Sequence, residues 1–575
     1  MTRRLFAIAL LLVSACRARE APAARPAPAA HPAPQLPKPI EAPPPKPPEI
    51  VPIARDLPDI VNDGILHVLF TFNSTGYFLY RGETLGYEYE LLTMFARDAK
   101  LKLDPIVVRD SAELFDRLNK GDGDVAAAQL SVPSPSASIG VAVTDSLYAT
   151  APVLVQRTAP ESAGATPTVA KALAREKNET APSPIQVRAR LIETPSQLAG
   201  QQVHLPRTSP YRERLLELND ELTQDIDVVE VDESSDKLIQ RLAEGEIAFT
   251  VAAENVAQLK SGEYTNLLIK PAIGPPQSVV WAVRRNAPLL LAQLDQSLAA
   301  KRKSGLLTTL YRKYFLDRRA YTARTASPYL TAETGTISPY DDAFRASAAI
   351  PGWDWRLVAA QAFQESRFNP RARSWAGAIG LMQIMPKTAR QLRVNPSDPA
   401  KSIEAACRYI WSLDDIWRSS ISDESERIKF ILASYNVGVG HVQDAVRLAE
   451  KNGDNPHRWI DVAYWLIRKS KRSVYNDPVV KHGFARGTEP VAYVDQILAR
   501  WSNYKQFVRE PSTVVLHSVA QPHDVAFDSL NRHESQIARR PAAFLRVEER
   551  RRSDAAVRNR SHQDAQFVDE VRSEK

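Results

Sequence analysis

The chain has 575 residues, 44% of them hydrophobic, a formal net charge of +7, a pI near 9.1 and only two cysteines. That length and apolar content suffice for several hydrophobic cores, which excludes a disordered chain and a small disulfide-stapled one. The basic balance alone fits a nucleic-acid binder, but no basic patch interleaved with aromatics accompanies it, so no nucleic-acid partner is expected, only mild attraction to anionic polymer or membrane surfaces.

The N-terminus reads as an export signal over residues 1–15: Arg3 and Arg4, then an apolar run from Leu5 to Val13 too short to span a bilayer. Val13-Ser14-Ala15-Cys16 resembles a bacterial lipobox, which implies lipidation of Cys16; an ordinary secretory signal is the alternative. Arg17, rather than Asp, follows the cysteine, and by the sorting rule of lipoproteins this implies the periplasmic face of the outer membrane. The other cysteine is Cys407, so no intrachain disulfide is expected. Residues 16–60 read as a tether, with 14 prolines in the 38 positions from 21 to 58. At roughly 3.1 Å per residue such a segment reaches about 120 Å.

From 61 to 318 short apolar strands alternate with helical patterns. Predicted strands are Ile65–Thr71, Ile106–Val108 and Val125–Ala128, with helices at Glu88–Ala99 and Ser111–Asn119 between them. A second set follows: strands Gln202–Leu205, Val228–Val231 and Ile247–Val251, helices Tyr211–Leu218 and Ser235–Glu244. Two α/β lobes are the natural reading. The order, with Gly86-Tyr87-Glu88-Tyr89-Glu90-Leu91 and the run from Leu118 to Ala127, resembles family-3 periplasmic solute-binding proteins, which implies a ligand held between closing lobes. Amino-acid binders of that family carry a carboxylate-clamping Arg shortly after the Leu130-Ser131 position; here Val132 to Ser138 contains none. Arg207-Thr208-Ser209-Pro210 reads as an anion site or an ordinary helix cap, and Glu254 as an ammonium acceptor or a solvated acid. Residues 157–190 read as an insertion, and 319–340 as a linker.

The region 341–510 carries the chemistry. From Trp355 to Glu365 the pattern is helical, and Trp355, Val358, Ala362 and Glu365 recur at spacings of three and four, so the acid shares the apolar stripe. Asn369-Pro370 is expected to stop the helix. Lost hydration and the helix dipole both favour a protonated Glu365, the form a general acid needs. Hydrolysing glycosidases usually add a second carboxylate. None lies between Ser366 and Ser397, although one from elsewhere in the chain stays open. A carboxyl working alone requires the nucleophile to come from the substrate. The acetamido oxygen and the C6 hydroxyl of N-acetylmuramic acid both qualify, the latter giving a 1,6-anhydro product.

The runs Glu365-Ser366-Arg367-Phe368-Asn369-Pro370, Gly377-Ala378-Ile379-Gly380-Leu381-Met382-Gln383-Ile384-Met385-Pro386-Lys387-Thr388-Ala389 and Ala433-Ser434-Tyr435-Asn436-Val437-Gly438 resemble soluble-type lytic transglycosylase domains. That resemblance implies a mainly helical, goose-type lysozyme fold. It also implies Glu365 as acid and then base, with Ser374, Met382, Gln383, Tyr435 and Asn436 lining the sugar cleft. Tyr435 can pack on a sugar face or hold the acid through its hydroxyl. Ser434 and Val439 replace the family's usual Ala and Pro. Near the end, Glu489-Pro490 departs from the family's Glu-Thr, while Tyr493 keeps its place in the site. Residues 511–575, rich in Arg, read as a charged, disordered tail.

A solute-binding module followed by this catalytic module behind a lipid anchor is similar to membrane-bound lytic murein transglycosylases. The implied partners are peptidoglycan glycan strands, a muropeptide or stem-peptide ligand between the lobes, and a membrane; no metal and no organic cofactor is implied. The competing class is a periplasmic sensor that binds wall fragments without cutting them. An intact Glu365 with Gln383 and Tyr435-Asn436 speaks against it.

Overall fold

The computed structural model describes residues 52–109, 113–131, 140–158, 191–207 and 209–509. The expected signal and lipid site at Cys16, most of the 157–190 insertion, the segment after Ser131 that lacks the Arg, and the tail lie outside the described residues.

Lobe 1 is built on a sheet in the order Lys102–Val107, Ile65–Phe70, Val125–Ser131, Gln277–Arg284, Val141–Val143, with Tyr148–Thr150 also paired to Gln277–Arg284. Its first three strands run parallel and Gln277–Arg284 runs antiparallel to them. Lobe 2 has the order Asp227–Val231, Gln202–Pro206, Phe249–Ala253, Pro152–Arg157, Leu267–Ala272. The near-continuous apolar runs in the parallel strands reflect burial on both faces, as βαβ crossovers require. The chain crosses from lobe 1 to lobe 2 after Thr150 and returns before Gln277. The two sets of alternating elements are the ones expected, with ends shifted by a few residues; Ile106–Val108, for example, is the end of the longer strand Lys102–Val107.

Two expected boundaries move. The tether does not run to residue 60: Ile53 N–H already donates to Asn119 O (3.1 Å), and Leu57–Asp63 is a helix capped by Asp56. Proline in the first turn of that helix costs no hydrogen bond, so a proline-rich composition conceals it. The 319–340 linker is folded as well. Arg318–Thr325 and Thr331–Thr334 are helices, and Tyr321, Leu330 and Ile337 are buried.

The rest is helical: Asp341–Ala348, Trp355–Ser366, Pro386–Leu392, Pro399–Arg418, Glu424–Val437, Val439–Lys451, Trp459–Arg468 and Thr488–Phe507 are its main helices. Trp355–Ser366 is central. Asp354 caps it by accepting from Arg356 N–H, and every residue from Leu357 to Phe363 is buried, so the helix is enclosed rather than striped. It ends at Ser366 because Arg367 (φ 52°) and Phe368 (φ 60°) both turn left-handed, before Asn369-Pro370 is reached. No helix among the described residues is long and apolar enough to cross a membrane.

Lobe 1 and the helical domain share one continuous core. Thr488–Phe507 is the main strut. Its Asn503 Nδ2 donates to Thr84 Oγ1 (2.6 Å), Tyr504 Oη to Gly82 O (2.7 Å) and Gln506 Nε2 to Pro105 O (2.7 Å), while the Phe507 ring lies 4.2 Å from that of Phe72. The hairpin Phe78–Tyr80 and Glu83–Leu85 inserts its tip beside the catalytic-domain helix. Arg81 (φ 51°) and Gly82 (φ 77°) both take the positive φ that a tight hairpin turn needs. A β-carbon on Gly82 would lie 2.4 Å from the Phe368 ring and 2.9 Å from that of Phe363, so only glycine admits the close approach.

Candidate active site

Glu365 occupies the last turn of Trp355–Ser366, partly open to solvent. Tyr493, on the antiparallel neighbour Thr488–Phe507, donates its hydroxyl to Glu365 Oε1 at 2.5 Å, and Gln361 Nε2 donates to the same hydroxyl oxygen at 3.2 Å. Burial pushes the carboxyl up to about 7, against the lowering effect of the Tyr493 hydrogen bond. No second carboxylate figures among the influences on Glu365 from the described residues. Lost hydration therefore keeps a large fraction of this acid protonated at neutral pH.

The loop after the helix folds over the site. Ile379 N–H bonds Ile384 O (3.0 Å) and Ile384 N–H returns to Ile379 O (3.0 Å). Gly380, at φ 82°, has Pro396 O only 1.9 Å from where a β-carbon would stand, which makes glycine obligatory there. Ser374 Oγ accepts from Ala378 N–H (3.0 Å) and holds the outer turn. Gln383 Nε2 donates to Gly380 O (2.9 Å) and to Ala372 O (3.3 Å), leaving its carbonyl oxygen as the remaining polar group.

A cleft of about 290 Å³ opens between this loop and the end of Glu424–Val437, lined by Gln383, Ile384, Met385, Thr388, Tyr409, Tyr435, Asn436, Val437, Gly438 and His441. Glu365 is not on that lining; it adjoins it through Tyr435 and Tyr493, both held un-ionised chiefly by burial. Of the residues expected at the site, Gln383, Tyr435 and Asn436 line the cleft, Tyr493 contacts the acid, and Ser374 shapes the loop. Met382 is a correction: it is fully buried, and it contributes only its carbonyl, which accepts from Tyr435 Oη at 2.8 Å. Its apolar side chain sits in the core beside those of Leu381 and Ile384, which are buried with it. Tyr435 therefore does not hold the acid through its hydroxyl; Tyr493 does. Ser434, in place of the usual Ala, accepts from the indole N–H of buried Trp417 (3.0 Å). Glu489 is exposed in the first turn of its helix, and Cys407 is a buried thiol pushed up to about 12 by desolvation.

A second, smaller cavity of about 60 Å³ lies between the lobes, lined by Asn73, Ser74, Thr75, Gln129, Tyr211 and Asp236 among others. Glu254 does not line it and accepts from Gln258 Nε2 (3.0 Å). Arg207 pairs with Asp232 (3.0 Å). The acid in this cavity is Asp236, pushed up to about 6 by burial and bonded by the Tyr321 hydroxyl of the folded linker. Asp236 stands at the start of a helix behind the cap Ser234, and no local pattern separates it from an ordinary first-turn acid.

Two family models match the chain: bacterial extracellular solute-binding proteins, family 3, over residues 70–317, and the transglycosylase SLT domain over 342–457. A membrane-bound lytic murein transglycosylase F from Shewanella sediminis is 31% identical over 439 residues, spanning 76% of this chain and 83% of that one. One from Pseudomonas fluorescens is 30% identical over 464 residues, spanning 79% and 87%. A mutant of the arginine-binding protein of T. maritima aligns with 45% of this chain and 99% of its own at 19% identity and a TM-score of 0.36. Matched to these relatives over most of its length and of theirs, and carrying a solute-binding module followed by a transglycosylase module, the chain belongs to the membrane-bound lytic murein transglycosylase F family.

Proposed function

We propose that Glu365 alone performs acid–base catalysis in a lytic transglycosylase that cuts the bond between N-acetylmuramic acid and N-acetylglucosamine in peptidoglycan and leaves a 1,6-anhydromuramoyl end. One observation carries this reading: a carboxyl pushed up to about 7, steadied by one tyrosine hydroxyl, with no second carboxylate among its influences in the described residues. Protonated Glu365 donates to the glycosidic oxygen, and N-acetylglucosamine leaves as the alcohol. The substrate's acetamido oxygen supports C1 as that bond breaks. The Glu365 carboxylate then takes the C6 hydroxyl proton while O6 closes on C1, which regenerates the acid without water. Gln383 and Asn436 suit the acetamido and hydroxyl groups of the glycan, and the Tyr435 ring suits a sugar face. The domains implied are the solute-binding module over 61–318 and the catalytic module over 341–510. Glu365→Gln should keep fold and glycan binding and lose turnover; a variant within about tenfold of wild type, roughly 1.4 kcal/mol, removes Glu365 from this role.

The lobes are read as a regulatory module for wall fragments. A pocket of about 600 Å³ beside the inter-lobe cavity is lined by Arg109, Arg207 and Lys237 together with Asp232, Glu233 and Glu333, a mixture of charges that suits a stem peptide carrying both ammonium and carboxylate groups. Two contacts support coupling to the acid: the Gly82 turn against Phe363 and Phe368, which flank Glu365, and the strut that carries Tyr493 at one end and Phe507 against Phe72 at the other. Coupling energies of about 1 to 3 kcal/mol predict a 5- to 150-fold change in activity on saturation with purified muropeptides. Binding without any change in rate reduces the lobes to passive docking. Anchoring at the outer membrane through Cys16 belongs to the same reading; Cys16→Ser should release the protein from the membrane fraction.

A further inference from the structure

Behind the cleft lies a buried polar cluster that the acid mechanism does not use. Lys469, just past the helix Trp459–Arg468, is fully buried, and so is Asp444. Lys469 Nζ donates to Asp444 Oδ2 at 2.6 Å and lies 2.8 Å from His441 Nδ1. Asp444 also accepts from the backbone N–H of Lys481 (2.7 Å) and of His482 (2.8 Å), and it pairs with Arg447. The cluster is closely built: a β-carbon on Gly440 would lie 2.5 Å from the His482 ring. His441 is its one member on the cleft lining, where it faces the loop of Gln383 and Met385 beside Asn436.

The chemistry of the pair fixes the tautomer. A lysine ammonium has protons only to give, so His441 Nδ1 accepts and the ring's own proton stands on Nε2. Burial first, and then the Lys469 charge, push the imidazole down to about 4, against the pull of Asp444, so the ring stays neutral across the working range of the acid. Lys469 is itself pushed down to about 8 by burial and keeps its proton at neutral pH with Asp444 beside it.

We propose that His441 is a substrate-binding residue whose Nε2–H, fixed by Lys469, donates a hydrogen bond to an uncharged oxygen of the glycan, an acetamido carbonyl or a hydroxyl, in this cleft. The proposal rests on the glycan-cleaving reading of the site. A neutral, single-tautomer donor suits a polymer whose ring oxygens and acetamido groups carry no charge, and it makes recognition insensitive to pH where a free histidine would titrate. It also gives the Lys469–Asp444 pair a role: burying two charges is costly, and here they determine which ring nitrogen is left for the sugar.

The test is steady-state kinetics on soluble, uncrosslinked glycan strands with the wild type, His441→Phe and His441→Gln, each checked for an unchanged melting temperature. His441→Phe should raise KM about five- to tenfold with kcat within about twofold, the loss of one hydrogen bond in binding. His441→Gln, which places an amide N–H near Nε2, should recover KM to within about threefold. A folded His441→Phe protein with wild-type KM overturns the proposal and leaves the lytic reading intact, whereas a wild type that does not cut the strands overturns the lytic reading itself. Nitrogen NMR of the histidine side chains, on the folded wild type between pH 5 and 7, should show Nδ1 unprotonated; a protonated Nδ1 overturns the tautomer assignment and the proposal with it.

Discussion

Glu365 and Glu88 are both carboxyls whose proton burial tightens, one pushed up to about 7 and the other to about 8, yet they sit in different kinds of place. Glu88, in lobe 1, is fully buried, accepts the Gln129 N–H at 3.1 Å and packs so tightly on Gly76 that a β-carbon there would lie 2.7 Å from Oε2. Gln129 in turn donates to Thr75 Oγ1 (2.9 Å), so this acid pins the floor of the inter-lobe cavity. Glu365 has one tyrosine partner and an open side. A raised carboxyl is thus not by itself the mark of a catalyst; a raised carboxyl that a substrate oxygen can reach is.

The comparison predicts unequal responses to small changes. Tyr493→Phe should lower kcat about 10- to 100-fold, since it frees the acid from its orienting partner. It should also move the high-pH limb of the rate profile upward, because the hydrogen bond that lowers the Glu365 pKa is gone. In the wild type that limb should lie near pH 7, activity falling as the pH rises and Glu365 loses the proton it must donate. A limb near the ordinary carboxylate value would place Glu365 on the wrong side of the comparison.

Gly82→Val comes next, with a loss of about 1 to 3 kcal/mol in stability, from a positive φ and the clash with Phe363 and Phe368. Because those rings flank the acid, kcat should fall with stability; thermal unfolding beside turnover at a permissive temperature checks this. Wild-type kcat in a destabilised Gly82→Val protein would argue against coupling through the hairpin.

The smallest effect on turnover is expected at Glu88. Glu88→Gln mimics the protonated acid, so activity should stay within about threefold of wild type. Its stability carries the sign of the linkage. A carboxyl whose folded pKa is raised binds its proton more tightly in the folded state, so the wild type loses stability as pH rises from the unfolded value, about 4.5, through about 8. Melting temperatures should therefore diverge in favour of the Gln variant between pH 5 and pH 8; parallel curves would mean Glu88 is ionised in the fold.

Much of this was legible in the sequence because it is local. The alternation of short apolar runs predicts both lobes, and the spacing from Trp355 to Glu365 puts the acid on the apolar stripe of a helix, which the fold encloses on all sides. What periodicity could not give is pairing across long separations. The hydroxyl on Glu365 comes from Tyr493, 128 residues away, rather than from Tyr435, whose hydroxyl is spent on the Met382 carbonyl. Met382 reads as a site residue from its run, yet its side chain is buried in the core with Leu381 and Ile384. Residues 319–340 read as a linker, but Tyr321 and Leu330 bury them against lobe 1 and lobe 2 elements that no local pattern announces. Lys469 and Asp444 look like ordinary surface charges in the sequence; only tertiary packing makes them a buried pair behind the cleft.

The central claim, that one carboxyl works without water, is tested most directly by digesting purified peptidoglycan in isotopically heavy-oxygen water and analysing the muropeptides by mass spectrometry. Products ending in unlabelled 1,6-anhydromuramic acid, lighter by one water than a hydrolysed end, are the result predicted. Free reducing ends carrying the heavy oxygen would contradict it and require a second, water-activating acid.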